Sequence, residues 1–112
     1  MSRDEAVYLK HVLDAISRIE EYVQGIEETD FKQNYLIQDG VIRQLEIIGE
    51  AVKRISNEIR LKYQNIPWQD IAGTRDKLIH QYFGVDIEKV WVMVKEDIPV
   101  LKREVSEILK TI

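Results

Sequence analysis

IEKVWVMVKEDIPVLKREVSEILKTI (Ile87–Ile112) places Ile87, Trp91, Val94, Ile98, Leu101, Val105, Ile108 and Ile112 at steps of four and three. Such steps lay one apolar stripe along a helix of 3.6 residues per turn. A strand, whose side chains alternate every second residue, could not bury it. Asp86 stands where an N-cap is needed, and Glu88 falls in the first turn, where a negative charge suits the helix dipole. Pro99 removes one backbone hydrogen bond, which predicts a kink or a division there.

The same spacing recurs upstream. Tyr8, Val12, Ala15, Ile19 and Tyr22 mark a first helix over about residues 3–24, with Ser2 and Glu5 as a capping box and Gly25 as its stop. Val41, Leu45, Ile48, Val52, Ile55 and Ile59 mark a second, which starts at Thr29 or Asp30 and reaches about Ser56, with Asp39-Gly40 able to bend or break it. Asn57–Gln64 either extends that helix or forms a short one. Pro67 opens a third, predicted over Trp68–Phe83 and stopped by Gly84. The expected architecture is all-α: one domain over residues 1–112, an up-and-down bundle of four to five helices with shallow crossing angles.

At 112 residues the chain suits a single domain, and 45% apolar with 32% charged residues fits a globular protein. It contains no cysteine, which rules out a disulfide framework and a thiolate metal site and fits a reducing cytoplasm. No apolar run is long enough to span a membrane, and the start MSRDEAVYLK lacks the apolar core of a secretory signal. With two histidines, a multi-histidine metal site is not expected; His11 reads as structural. A net charge of -4 argues against a general nucleic-acid coat but leaves room for a local anion site. Lys53, Arg54, Arg60 and Lys62 form a basic cluster, read either as a solvated helix face or as such a site.

The second helix is apolar on more than one face, with Ile42 and Ile47 beside the main stripe and small Gly49 and Ala51. The third carries two apolar rows. One stripe per helix suffices for a monomeric bundle, so the surplus predicts a homodimer.

The chemistry concentrates in GTRDKLIHQYFGVD (Gly73–Asp86). An always-charged guanidinium (Arg75), an imidazole that titrates near neutrality (His80) and a phenol (Tyr82) fall close together. Such a set can hold a phosphate and move a proton without a metal ion. On a continuous helix Arg75 enters the apolar row of Ile71 and Leu78, where it is either an arginine snorkelling past apolar neighbours or an anion ligand facing a cleft. His80 is then offset from Arg75 and Tyr82 by about 140–160°, so one helix cannot aim all three at one point. Either the helix end unwinds near Gly84, or two chains share the site across a two-fold axis. Asp76, four residues before His80, is spaced to touch the imidazole.

Arg75, His80 and Tyr82 resemble the signature of HEPN domains, most closely the HepT-like toxins of prokaryotic toxin–antitoxin pairs. IGEAVKRIS (Ile48–Ser56), IPWQDIAGTRDKLIHQYFGVD (Ile66–Asp86) and VWVMVKEDIP (Val90–Pro99) are similar to that branch in order and spacing. The resemblance implies a homodimeric bundle with the two motifs facing each other. It implies a toxin of type II/VII-like character: a metal-independent endoribonuclease acting on tRNA or mRNA, with Arg75 and His80 catalytic and no cofactor. It also implies a cognate minimal nucleotidyltransferase antitoxin able to transfer AMP from ATP to Tyr82. The residue after the motif arginine is commonly asparagine or another polar residue. Here it is Asp76, whose carboxylate weakens an RNA phosphate site unless it pairs with Arg75 or His80. The alternative is a non-catalytic helical module that binds and assists a minimal nucleotidyltransferase.

Overall fold

The computed structural model describes residues 3–74 and 86–111, all of them in helices or short connections, with no strand. The helices are α1 (Arg3–Val23), α2 (Glu28–Gln33), α3 (Tyr35–Lys53), α4 (Asn57–Lys62), α5 (Trp68–Ala72), α6 (Ile87–Val92) and α7 (Ile98–Lys110). A π-helical turn over Met93–Asp97 joins the last two.

The apolar stripes meet in one core. Leu9, Val12, Ile16 and Ile19 of α1 face Val41, Leu45, Ile48 and Val52 of α3 and Leu101, Val105 and Ile108 of α7, none more than 1% exposed. Each fully buried side chain of this kind contributes about 1.5–3 kcal/mol relative to exposure. α2 lies across α3 and α6. It inserts Phe31, fully buried, with its ring 5.1 Å from that of Trp91.

α1 ends as its sequence predicts, with Gly25 at φ +74, a left-handed conformation that glycine adopts without steric cost. Ser2 lies outside the described residues. Glu5, its expected capping partner, accepts a hydrogen bond from the Ser56 backbone N–H at 2.8 Å.

The expected second helix is divided, and not at Gly40. The chain breaks at Asn34, whose φ of -113 and ψ of 95 are extended. Two side chains make that break stable. Asn34 Oδ1 accepts from the Ile37 N–H, and Gln38 Nε2 donates to the carbonyls of Phe31 and Lys32 at the end of α2, the first of which also accepts the Asn34 N–H. At the start of α2 the cap is Glu27, not Thr29 or Asp30. Asp30 instead accepts from the Glu27 N–H at 2.9 Å, three residues back. Gly40 lies within α3, and a Cβ there would stand 3.2 Å from the Tyr22 ring of α1, so the glycine serves the close approach of the two helices and not a break.

Ser56 caps α4 as a separate short helix, its Oγ accepting from the Ile59 N–H at 3.4 Å. Pro99 marks the division of the last helix that its sequence predicts, standing in the first turn of α7. The irregularity sits just before it, where the Ile98 N–H donates five residues back to the Met93 carbonyl and the turn widens. The wider turn shifts the stripe. Val90, Val94 and Ile98 are buried at two successive steps of four, while Ile87 and Trp91 are only half-buried.

Candidate functional site

Arg75, Asp76, His80 and Tyr82 lie outside the described residues. What the structure fixes is the two ends from which their segment departs and to which it returns.

The leading end is tightly organised. The Trp68 indole Nε1–H donates to the Tyr63 carbonyl at 2.9 Å, which ties the start of α5 to the end of α4 across Pro67. Trp68, Ile71 and Ala72 are all buried, and α5 packs on α3. The α5 part of the apolar surplus is therefore taken up inside the chain rather than left for a second subunit. α5 ends at Ala72, with Gly73 as its C-cap. The helix expected over Trp68–Phe83 is present as far as Ala72; a turn at Gly73 interrupts it, Thr74 is helical again, and residues 75–83 lie outside the described residues. The Gly73 N–H donates to the Gln69 carbonyl at 2.9 Å, and the same oxygen would lie 3.3 Å from a Cβ at this position. Thr74, 2% exposed, donates its hydroxyl to the Asp70 carbonyl at 3.1 Å and anchors the edge of the segment.

The return is anchored as expected. Asp86 Oδ1 accepts from the Lys89 N–H at 3.3 Å and caps α6. One turn in, Glu88 pairs with Lys32 of α2 at 3.0 Å. The hydrogen bond to Glu88, and then its charge, raise the Lys32 ammonium above its ordinary 10.5. The motif segment thus leaves from a helix seated on α3 and comes back to one clamped against α2.

The basic cluster is not one surface. Arg60 donates from Nη2 to the Val52 carbonyl at 2.8 Å, satisfying the end of α3, while its Nε is buried without a partner. Lys53 pairs with Glu50 at 3.6 Å, and Lys62 lies over the Tyr63 ring at 5.9 Å. Arg54 reaches across to α1, its guanidinium 5.9 Å from the centre of the Tyr8 ring.

That contact belongs to a groove of about 410 Å³ between α1 and α3. Tyr8 and His11 line one wall, their rings edge to face at 6.4 Å. Arg43, Glu46, Glu50 and Arg54 line the other, with Arg43 3.8 Å from Glu46. Reading the sequence alone assigns Tyr8 to the core and His11 to structure, and leaves Arg54 between a solvated face and a local anion site. The missed signal is the spacing of Arg43, Ile47, Glu50 and Arg54 by four, three and four, which sets them on one face of α3.

Among the described residues no group of three or more His, Cys, Asp or Glu side chains could hold a metal ion, and no helix is long and apolar enough to cross a membrane.

The sequence model of the ribonuclease HepT-like family matches residues 12–108. A Methanocaldococcus jannaschii protein named "Gamma-glutamylcyclotransferase and putative RNase" is 48% identical over 98% of the chain, which spans 50% of that relative's own length. A Thermococcus cleftensis protein named "Probable ribonuclease HepT" is 46% identical over 98% of the chain and 100% of its own length. No solved structure matches the chain.

Proposed function

The chain belongs to the ribonuclease HepT-like family, and from that premise we propose that it is the toxin of a toxin–antitoxin pair, a metal-independent endoribonuclease acting on tRNA or mRNA. The observation that carries this reading is the match over residues 12–108, which encloses Arg75 and His80 at the motif spacing.

The reaction is attack by the RNA's own 2′-hydroxyl on the neighbouring phosphorus. The O2′–P bond forms and the P–O5′ bond breaks. His80 takes the 2′-hydroxyl proton or supplies one to the leaving 5′-oxygen; a positioned group of this kind contributes about 10²–10⁴-fold. Arg75 grips the scissile phosphate with paired N–H donors and stabilises the charge that gathers on its oxygens. The products are a 2′,3′-cyclic phosphate and a 5′-hydroxyl. DNA, which lacks the nucleophile, is not cut. Two chains form a homodimer in which the motifs face each other, and Asp76 orients the imidazole.

Tyr82 is the regulatory residue. A phenol of pKa about 10 is a poor base at neutral pH. Its oxygen is instead the acceptor for AMP, transferred from ATP by the antitoxin nucleotidyltransferase with release of pyrophosphate. The added phosphodiester places a negative charge beside Arg75 and blocks the anion site, by the same logic as phosphorylation.

Total RNA incubated with the wild-type protein and with His80→Ala in EDTA tests the reading. Cleavage by the wild type alone supports it; equal cleavage by both ends it. Absence of cleavage together with a stable nucleotidyltransferase complex favours a non-catalytic helical partner, the reading to which Asp76 and the net charge of -4 lend weight.

A further inference from the structure

We propose that the groove between α1 and α3 is a nucleotide subsite that takes one unpaired base of an RNA strand, with a neighbouring phosphate of the same strand at Arg43. The ribonuclease reading supplies the ligand's identity; the groove and its chemistry stand apart from that reading.

The volume of about 410 Å³ lies in the range of small-molecule sites. Its walls offer the chemistry that an unpaired nucleotide needs. Single-stranded bases stack on aromatic rings and on arginine planes. Tyr8 and Arg54 already form such a pair, 5.9 Å apart, with the His11 ring set edge-on beside them. His11 and Arg54 are exposed and Tyr8 is half-buried, so the platform is anchored yet open. Ala51 adds no bulk to the floor.

Arg43, at the far end of the groove, supplies a ligand for a phosphate further along the strand than the stacked base. It stands eleven residues before Arg54 on α3, about 16 Å along the axis. Its side chain is 69% exposed, with a 3.8 Å contact to Glu46. A guanidinium so lightly held turns readily to a phosphate, which it binds through two parallel N–H donors.

Glu46 and Glu50 decide what kind of anion fits. Glu46 lies 3.8 Å from Arg43 and Glu50 3.6 Å from Lys53, so the positive charge facing the groove is offset and a bare phosphate gains less there than beside unopposed cations. A nucleotide also carries ring and exocyclic N–H groups and ribose hydroxyls, which a carboxylate accepts. Mixed charge beside stacked rings therefore selects a nucleotide over an inorganic anion.

Two-dimensional NMR of the full chain with 5′-AMP, 5′-CMP, 5′-GMP and 5′-UMP tests the assignment, with ribose 5-phosphate and inorganic phosphate as comparison probes. None of these can be cleaved, so the outcome is independent of nuclease activity. The expected result is shifts at Tyr8, His11 and Arg54 with mononucleotides, and much weaker ones with the two probes that lack a base. Arg54→Gln and Tyr8→Leu weaken mononucleotide binding at least about fivefold, the low end of what a stacking platform contributes. Tyr35→Ala, an exposed ring outside the groove, leaves it unchanged. With RNA, the groove variants raise KM and leave kcat unaltered. Three results overturn the subsite: no groove shifts with any nucleotide, equal shifts with inorganic phosphate, or groove signals that follow protein concentration alone, which would put a second copy of the chain there. Arg54→Gln changes an exposed side chain, so a Tyr8→Leu protein that fails to fold leaves the test intact.

Discussion

The Glu5 carboxylate on the first turns of α1 accepts the backbone N–H of Ser56, 51 residues later, at 2.8 Å. Ser56 is also the N-cap of α4. One side chain therefore fixes where α1 meets the junction of α3 and α4, just upstream of the segment that leads to Arg75.

Glu5→Ala leaves that N–H without its charged acceptor. A hydrogen bond to a charged group contributes about 1.5–3 kcal/mol, and this one is only partly buried. Urea denaturation should show a loss of about 1–2 kcal/mol with unchanged m-value. Glu5→Gln keeps a neutral acceptor and should recover part of the loss. Equal stability of all three proteins would remove the contact from the list of supports.

Gly40→Ala sets two effects against each other. Alanine in a helix interior is favoured over glycine by about 1 kcal/mol. The new Cβ meets the Tyr22 ring at 3.2 Å, tighter than ordinary contact. Destabilisation is expected in the wild type, because the ring is packed against the core. In a Tyr22→Leu background the same change should become neutral or stabilising. Additivity of the two substitutions would show that ring and glycine are not coupled.

The Lys32–Glu88 pair ties α2 to α6. The raised Lys32 pKa means that its contribution is complete below the ordinary value of 10.5 and is lost as pH rises through the raised value. Both side chains are well exposed, so the effect on stability is small and falls with added salt. NMR titration of the Lys32 side chain should place its pKa above 10.5 in the wild type and lower in Glu88→Gln. An identical titration in both would show that the pair does not persist in solution.

On the ribonuclease reading, His80→Ala lowers cleavage by about 10²–10⁴-fold. Arg75→Lys should also be severely impaired, since an ammonium cannot reproduce a bidentate phosphate grip. Cleavage rates with a defined RNA and EDTA present measure both. An Arg75→Lys protein of full activity would remove the arginine from the phosphate.

Tyr82→Phe separates regulation from catalysis. It should retain cleavage, and intact-mass analysis after incubation with the nucleotidyltransferase and ATP should no longer show the mass of one AMP. An adduct that persists would assign the modification to another side chain.

Much of the fold can be read along the chain because periodicity and caps are local. The stripe from Val94 to Ile108, the stop at Gly25 and the cap at Asp86 each depend on residues within a turn or two of one another. Arg75, His80 and Tyr82 stand out in the same way, through type and spacing alone. Side-chain contacts that periodicity does not specify decided the rest. The α2–α3 break falls at Asn34 because Gln38 reaches back to the Phe31 and Lys32 carbonyls, while Gly40 stays helical against Tyr22 from another helix. A turn at Gly73 interrupts the third helix, with Thr74 helical again beyond it. The groove of Tyr8, His11, Arg43 and Arg54 exists only because α1 packs on α3. Periodicity tells each helix which face to bury; only the packed chain shows which polar side chains that burial brings together.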